Sequence, residues 1–230
     1  MKTQLQVIKG LLLAMGFIFL YSCNSHKTPQ VEDIQLSAAD QAVADSLHFD
    51  KLILQLVRQQ TDSAFRTLTT ELFTRDSDYL IPNNGLLFNA KESEVEHIVN
   101  LLSAGMQKNG YFIFSYEHNF GFDPDVIAVI KSKDQFDIVR HAATDGVNYD
   151  IYNDSVVTLL QNWNKKYPLR IKGAGRDWLA ADFIERPQDM DAFAKEVYAV
   201  CPDVVDQGTG TVEELAKEMK QSNELYLWWD

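Results

Sequence analysis

Strand-like and helix-like segments alternate along most of the chain, and this order limits the fold more than any other feature. The β-rich runs are residues 85–88, 111–117, 126–131, 169–173, 177–184 and 224–229. Segments with apolar residues at helical spacing separate several of them. Because other neighbouring runs are joined only by turns, we predict an α+β fold in which helices cover a mixed β-sheet. A doubly wound sheet is the alternative, although its nucleotide-binding fingerprint is missing.

Polar residues suited to capping precede most of the helical patterns. Ser93 with Glu96, and Thr211 with Glu214, have the spacing of a capping box. Asp154 and Asp189 are candidate caps of two further helices. Residues 134–144 predict one more short helix.

The N-terminal part of the folded region is predicted to be a helical lead-in. Ser37 can cap a helix that continues to Val57, and Phe65, Leu68 and Leu72 indicate a second helix at the same period. We therefore expect the lead-in to cover residues 37–77 and the α+β domain to cover residues 78–230.

The first residues have the pattern of an export signal. A basic start is followed by an apolar run over residues 10–21, which is shorter than the ~20 residues that a membrane-spanning helix needs. Leu20-Tyr21-Ser22-Cys23 resembles the lipobox of bacterial lipoproteins. It predicts a signal peptide over residues 1–22, lipidation of Cys23 and a flexible tether over residues 23–36. A cleaved signal with a chance cysteine is the alternative.

This interpretation places the protein in the bacterial cell envelope, held through its N-terminal lipid on the periplasmic or outer-surface side. The formal charge is −12, and removal of residues 1–22 would take away two lysines and no acid. Such a charge disfavours nucleic-acid binding. If Cys23 carries lipid, Cys201 has no intramolecular partner, so an apolar core must stabilise the fold.

Three segments in the C-terminal half carry a resemblance to a known family. They are Asp145-Gly146-Val147-Asn148-Tyr149-Asp150, the run from Glu196 to Gly208, and the closing Leu225-Tyr226-Leu227-Trp228-Trp229-Asp230. With these motifs, the chain from about Gln135 to Asp230 resembles the bacterial domain-of-unknown-function family 4253. The resemblance implies a shared domain and no particular mechanism.

A glycine-rich loop precedes the helix that Thr211 is expected to cap. The loop contains Asp203, Asp206, Gln207, Gly208 and Gly210. Free backbone N–H groups at a helix start can bind an anion, although the two aspartates would repel one. The alternative is a tight turn in which the two glycines adopt positive φ.

Hard oxygen ligands also suggest a candidate metal site. Asp145, Asn148 and Asp150 occupy one loop, and Asp203 and Asp206 occupy the other. Together they would suit Ca²⁺ or Mg²⁺ if the loops meet in space. Asp and Asn are equally common as turn residues, so a structural role is the alternative.

Two functional hypotheses follow. The first is a tethered interaction domain, immunity-like in role, that binds an unknown protein or small-molecule partner. The alternative is a metal-dependent hydrolase in which Glu196 or His141 transfers protons. Cys201 is expected to be buried and inert, because a helix C-terminus does not activate a thiol.

Overall fold

The protein is described by a computed structural model that covers residues 34–74 and 77–230. The predicted signal peptide, Cys23 and most of the predicted tether lie outside these residues. Seven strands form one sheet in the order β1-β2-β4-β3-β5-β6-β7. The strands are β1 Arg66–Phe73, β2 Asp78–Ala90, β3 Tyr111–Glu117, β4 Asp125–Lys131, β5 Leu169–Ala174, β6 Trp178–Phe183 and β7 Glu224–Trp228.

Helices flank the sheet and complete the α+β fold. They are α1 Ala38–Leu47, α2 Lys51–Arg58, α3 Glu92–Lys108, α4 Asp137–Ala142, α5 Asn153–Lys166, α6 Met190–Val200 and α7 Val212–Ser222. A 3₁₀-helix covers Val147–Tyr149 and a π-helix covers Val204–Thr209. Strands β3 and β5 are parallel and the other neighbours are antiparallel, so the predicted mixed sheet is confirmed.

The predicted helical lead-in is correct only in its first part. Ser37 caps α1 in a capping box with Asp40, but His48 adopts a left-handed conformation and separates α1 from α2. Residues 66–73 form β1 rather than a second helix. Leu68 and Leu72 are four residues apart, a spacing that fits one face of a helix and one face of a strand. The threonines between them favour the strand.

The two faces of the sheet carry separate cores. Helices α1, α2 and α3 pack on one face, where Leu54, Phe88 and Met106 are fully buried. Helices α4 to α7 pack on the other face, in a core that runs across all seven strands, from Leu68 of β1 to Leu227 of β7. The first core ends at β3, and side chains such as Lys172, Trp178 and Tyr226 lie beyond it on the α3 side of β5, β6 and β7.

The capping predictions were confirmed at Asp189 and Thr211, whose side chains accept from backbone N–H groups. Those at Ser93 and Asp154 were wrong, because the N-cap residues of α3 and α5 lie two positions earlier, at Lys91 and Tyr152. The Asn153 amide is buried and donates to two backbone carbonyls, which fixes the start of α5.

Residues 34–36, the part of the predicted tether that the structure describes, belong to the fold. Leu36 is buried in the first core, and the Ile34 carbonyl accepts from Gln55 Nε2 at 3.0 Å. Among the helices of residues 34–74 and 77–230, none has both the length and the apolar character needed to cross a membrane.

Candidate functional site

The two acidic loops that sequence reasoning singled out do lie side by side. The Tyr149 hydroxyl, at the end of the 3₁₀-helix, donates to Asp203 Oδ1 at 2.6 Å. Asp203 is buried and also accepts from the Asp230 N–H at 2.9 Å and from Gln207 Nε2 at 3.0 Å. Burial alone would raise the pKa of Asp203, but these donors hold it below its ordinary value. The loops therefore meet through hydrogen bonds to one carboxylate.

The other carboxylates of these loops have partners of their own. Asp145 is buried and pairs with Arg176 at 2.8 Å. Burial raises its pKa, although the guanidinium opposes the shift. Asp206 accepts from the Tyr198 hydroxyl at 3.1 Å. Within the described part of the chain, His, Cys, Asp and Glu form no group of three or more that could hold a metal ion. The geometry therefore supports neither the predicted calcium or magnesium site nor the hydrolase alternative.

The remaining residues of the two loops shape the backbone. Asp150 adopts a left-handed conformation with φ of 58° and ends the 3₁₀-helix, and Asn148 beside it is exposed. Gly210 ends the π-helix with φ of 78°. Gly208 has no positive φ, so the expectation of two left-handed glycines was wrong at that position. The Thr211 side chain already accepts the Glu214 N–H at the start of α7, which favours a structural turn over an anion site.

The two candidates for proton transfer have other roles. Glu196 accepts from Trp163 Nε1 at 3.1 Å. His141 lines a separate cavity between β2 and the α4–α5 pair, and burial lowers its pKa. Cys201 is buried as expected, and burial raises the pKa of its thiol to about 12.

The three family-like segments instead build one packed junction at the end of β7. Gly146 lies against the indole of Trp229, and a Cβ atom there would be 2.6 Å from the ring. Trp229 Nε1 donates to the Val200 carbonyl at 2.9 Å, and Cys201 Sγ contacts the Trp228 backbone. These segments therefore connect the end of α6 with the end of β7 through packing and hydrogen bonds.

A different site lies between α3 and strands β5, β6 and β7. It is a cavity of about 260 Å³, which we call the α3 groove. Its floor is the uncovered side of the sheet, where Lys172, Ala180 and Tyr226 point away from the second core. Its volume is below the range of roughly 300–1,000 Å³ typical of drug-sized ligand sites, so it suits a group the size of a side chain.

A buried carboxylate orients a histidine in the α3 groove. Asp125, 1% exposed, starts β4, and its Oδ2 lies 3.2 Å from His118 Nδ1. Its Oδ1 accepts the Asn119 N–H at 2.8 Å, which fixes the loop between β3 and β4. The carboxylate favours a proton on Nδ1, so Nε2 of the neutral ring is a hydrogen-bond acceptor.

Ser115 provides an unsatisfied polar group in the same cavity. It belongs to β3 opposite Gly173 of β5, and its buried hydroxyl has no hydrogen-bond partner within the protein. The Trp178 ring lies over Gly173, where a Cβ atom would be 2.8 Å away. The same indole contacts His118 at 4.4 Å and stacks with Tyr226 at 6.3 Å between ring centroids.

A charged cluster forms the far side of the groove. Lys172 contacts Glu224 at 2.7 Å and Asp182 at 3.0 Å. Burial alone would lower the pKa of Lys172, but these two hydrogen bonds raise it above its ordinary value. Burial and the nearby Asp177 and Glu224 charges raise the pKa of Tyr226. The far side of the groove therefore has negatively charged surroundings.

Sequence reasoning missed the α3 groove. The segment from His118 to Asp125 joins two β-rich runs and carries no motif that indicates a site. The groove residues come from α3, β3, β5, β6 and β7, so their proximity depends on the strand order. One usable signal was the alternation in β5 to β7, where polar residues interrupt the apolar ones at period two.

Comparison with known proteins supports the expected resemblance over the C-terminal region. Neither curated proteins nor solved structures gave a match to the chain. A family model matches residues 126–230. This match begins nearer the N-terminus than the expected start at about Gln135, and it extends from β4 to β7. The region from β4 to Asp230 is therefore similar to the family described as Domain of unknown function (DUF4253).

Proposed function

We propose that the protein is a bacterial lipoprotein whose lipidated Cys23 anchors a ligand-binding domain in the cell envelope. The short basic start, the apolar run and the Leu-Tyr-Ser-Cys sequence support the anchor. The domain faces the periplasm or the outside and binds its ligand, a small molecule or a side chain of a protein partner, in the α3 groove.

The observation that supports ligand binding is the buried, unpartnered hydroxyl of Ser115, in the same cavity as the oriented His118 ring. An unsatisfied buried hydroxyl costs free energy, about 1–3 kcal/mol, unless a partner bonds to it. Two stacked aromatic rings and a few convergent polar groups line the same cavity. This combination of concave shape, apolar wall and sparse polar groups is typical of ligand sites.

A thermal-unfolding screen tests the groove. The purified full chain in a non-ionic detergent is heated with a chemically mixed panel of small cations, anions and neutral compounds. A compound that binds only the native state raises the unfolding temperature. We expect at least one such compound, and we expect Tyr226→Ala to reduce its effect because Tyr226 forms a wall of the groove.

Tyr79→Ala is the matched control, since Tyr79 is an exposed tyrosine of β2 outside the groove. This variant should respond to the compound as the unchanged protein does. A panel without any stabilising compound, or equal loss in both variants, would contradict the proposed function.

A further inference from the structure

The α3 groove contains polar groups that can accept a hydrogen bond from a ligand. The Ser115 hydroxyl is unpartnered, and because His118 Nδ1 faces Asp125, Nε2 is the acceptor nitrogen whenever the ring is neutral. The groove has one lysine, Lys172, and that ammonium group is already held by two carboxylates. A ligand rich in N–H donors would satisfy the groups that remain.

The rim of the groove carries uncompensated negative charge. Glu92 and Glu96 are exposed, lie four residues apart on α3 and both border the cavity. Within residues 34–74 and 77–230, neither has an ion pair. Glu94 lies between them on the same helix and pairs instead with Lys91 at 3.0 Å.

Aromatic rings complete this arrangement. Tyr226 is 43% exposed and stacks on Trp178 with an interplanar angle of 21°. The face of an exposed tyrosine attracts cations, and the attraction adds to that of nearby carboxylates. An anionic ligand would meet these same groups unfavourably, because the lysine charge is already compensated.

We propose that the α3 groove binds an alkylguanidinium or alkylammonium group, the chemistry of an arginine or lysine side chain. The inference rests on the ligand-binding function proposed above and names its ligand class. The cationic head donates to the buried Ser115 hydroxyl and to His118 Nε2 and is attracted by Glu92 and Glu96, while its alkyl stem lies along Trp178 and Tyr226. The volume of the groove fits one such side chain.

Calorimetric titration with two isosteric probes tests the charge requirement. Nα-acetyl-arginine methylamide carries the guanidinium group, and Nα-acetyl-citrulline methylamide replaces it with a neutral urea of nearly the same shape. For the purified full chain in detergent, we expect the arginine probe to bind at least tenfold more tightly. Its affinity should fall as salt is added, because the rim charges are exposed.

Glutamine substitutions on α3 locate the charges that matter. Glu92→Gln and Glu96→Gln should each weaken arginine-probe binding by roughly threefold, as for an exposed ion pair. Glu94→Gln is the matched control and should leave the affinity within about 1.5-fold, because Glu94 faces away from the groove. All three sites are exposed, so the variants should fold.

The outcomes separate this inference from the proposed function. Equal binding of both probes, or no binding of either, overturns the cation inference. In that case a compound from the mixed panel whose effect depends on Tyr226 still supports the groove as a ligand site. Equal effects of Glu94→Gln and Glu96→Gln also overturn the inference, since they would indicate only the long-range charge of the protein.

Discussion

Asp203 illustrates how single residues of the family-like segments contribute to the structure. Its two carboxylate oxygens accept from the Tyr149 hydroxyl, the Gln207 amide and the Asp230 N–H. Three donors around one buried carboxylate favour its charged form. The residue therefore joins the 145–150 loop, the π-helix and the last residue of the chain.

Replacing Asp203 with Asn should destabilise the protein. An amide has one acceptor oxygen where the carboxylate has two, and its NH₂ group would face a donor. We expect a loss of about 2 kcal/mol in the free energy of unfolding, as for hydrogen bonds to a charged group. Urea unfolding at neutral pH, followed by tryptophan fluorescence, measures it.

The same variant has a characteristic pH dependence. The folded pKa of Asp203 lies below its ordinary value of 3.8, so its stabilisation is present above that pH. It is lost as the pH falls through the folded pKa. The stability difference between the unchanged protein and Asp203→Asn should therefore shrink below about pH 3.8. A difference that stays constant down to pH 2 would contradict this role.

At the scale of elements, close packing joins the 145–151 loop to the end of β7. Gly146 N and Ile151 N each bond across the loop, which closes around the 3₁₀-helix. The indole of Trp229 fills the space beside Gly146, and its Nε1 reaches the end of α6. Any side chain at position 146 would displace this ring.

Gly146→Ala tests that packing. The new Cβ atom would be 2.6 to 2.8 Å from three atoms of the Trp229 ring. We expect a loss of about 1–3 kcal/mol in the free energy of unfolding, the usual cost of overpacking. Denaturant titration followed by circular dichroism measures the change.

Gly208→Ala is the control from the neighbouring family-like segment. Its Cβ atom would approach only the Asp203 carbonyl, at 3.6 Å, which is ordinary contact, and its φ is not positive. It should leave stability unchanged or raise it by up to about 1 kcal/mol. Equal destabilisation by both alanines would argue against the tryptophan contact as the cause.

At the scale of the whole molecule, unequal coverage of the sheet creates the α3 groove. Four helices cover one face, and the core formed with α1, α2 and α3 on the other face stops at β3. Strands β5 to β7 are therefore open on that side. Leu36 packs beside α1 and α2, so the chain enters the fold on the same face as the groove.

Membrane fractionation tests the proposed anchor. In cells that process lipoproteins, Cys23→Ala should remove the protein from the detergent-soluble lipoprotein fraction, because lipid attachment requires the thiol. Cys201→Ala is the control, since Cys201 is buried in the fold and should not affect lipidation. Incorporation of a labelled fatty acid into the Cys23→Ala protein would contradict the proposal.

Periodic patterns in the sequence were sufficient for much of the fold. The strands β5 and β6, the caps at Asp189 and Thr211 and the terminal strand were all predicted correctly. Each of these features depends on residues that are close together in the sequence. The error at β1 arose where Leu68 and Leu72 fit both periods, and pairing with β2 decides for the strand.

The sequence by itself determined the α+β class, the helix faces and the acidic character of this protein, because these properties depend on local spacing and composition. Only the tertiary structure decided that the acidic loops meet as hydrogen-bonded supports, and that Ser115, His118, Asp125 and Tyr226 share a cavity. Residues 115 and 226 are brought together by the parallel pairing of β3 with β5 and by the strands beyond it. Such contacts depend on strand order, which short-range patterns do not specify.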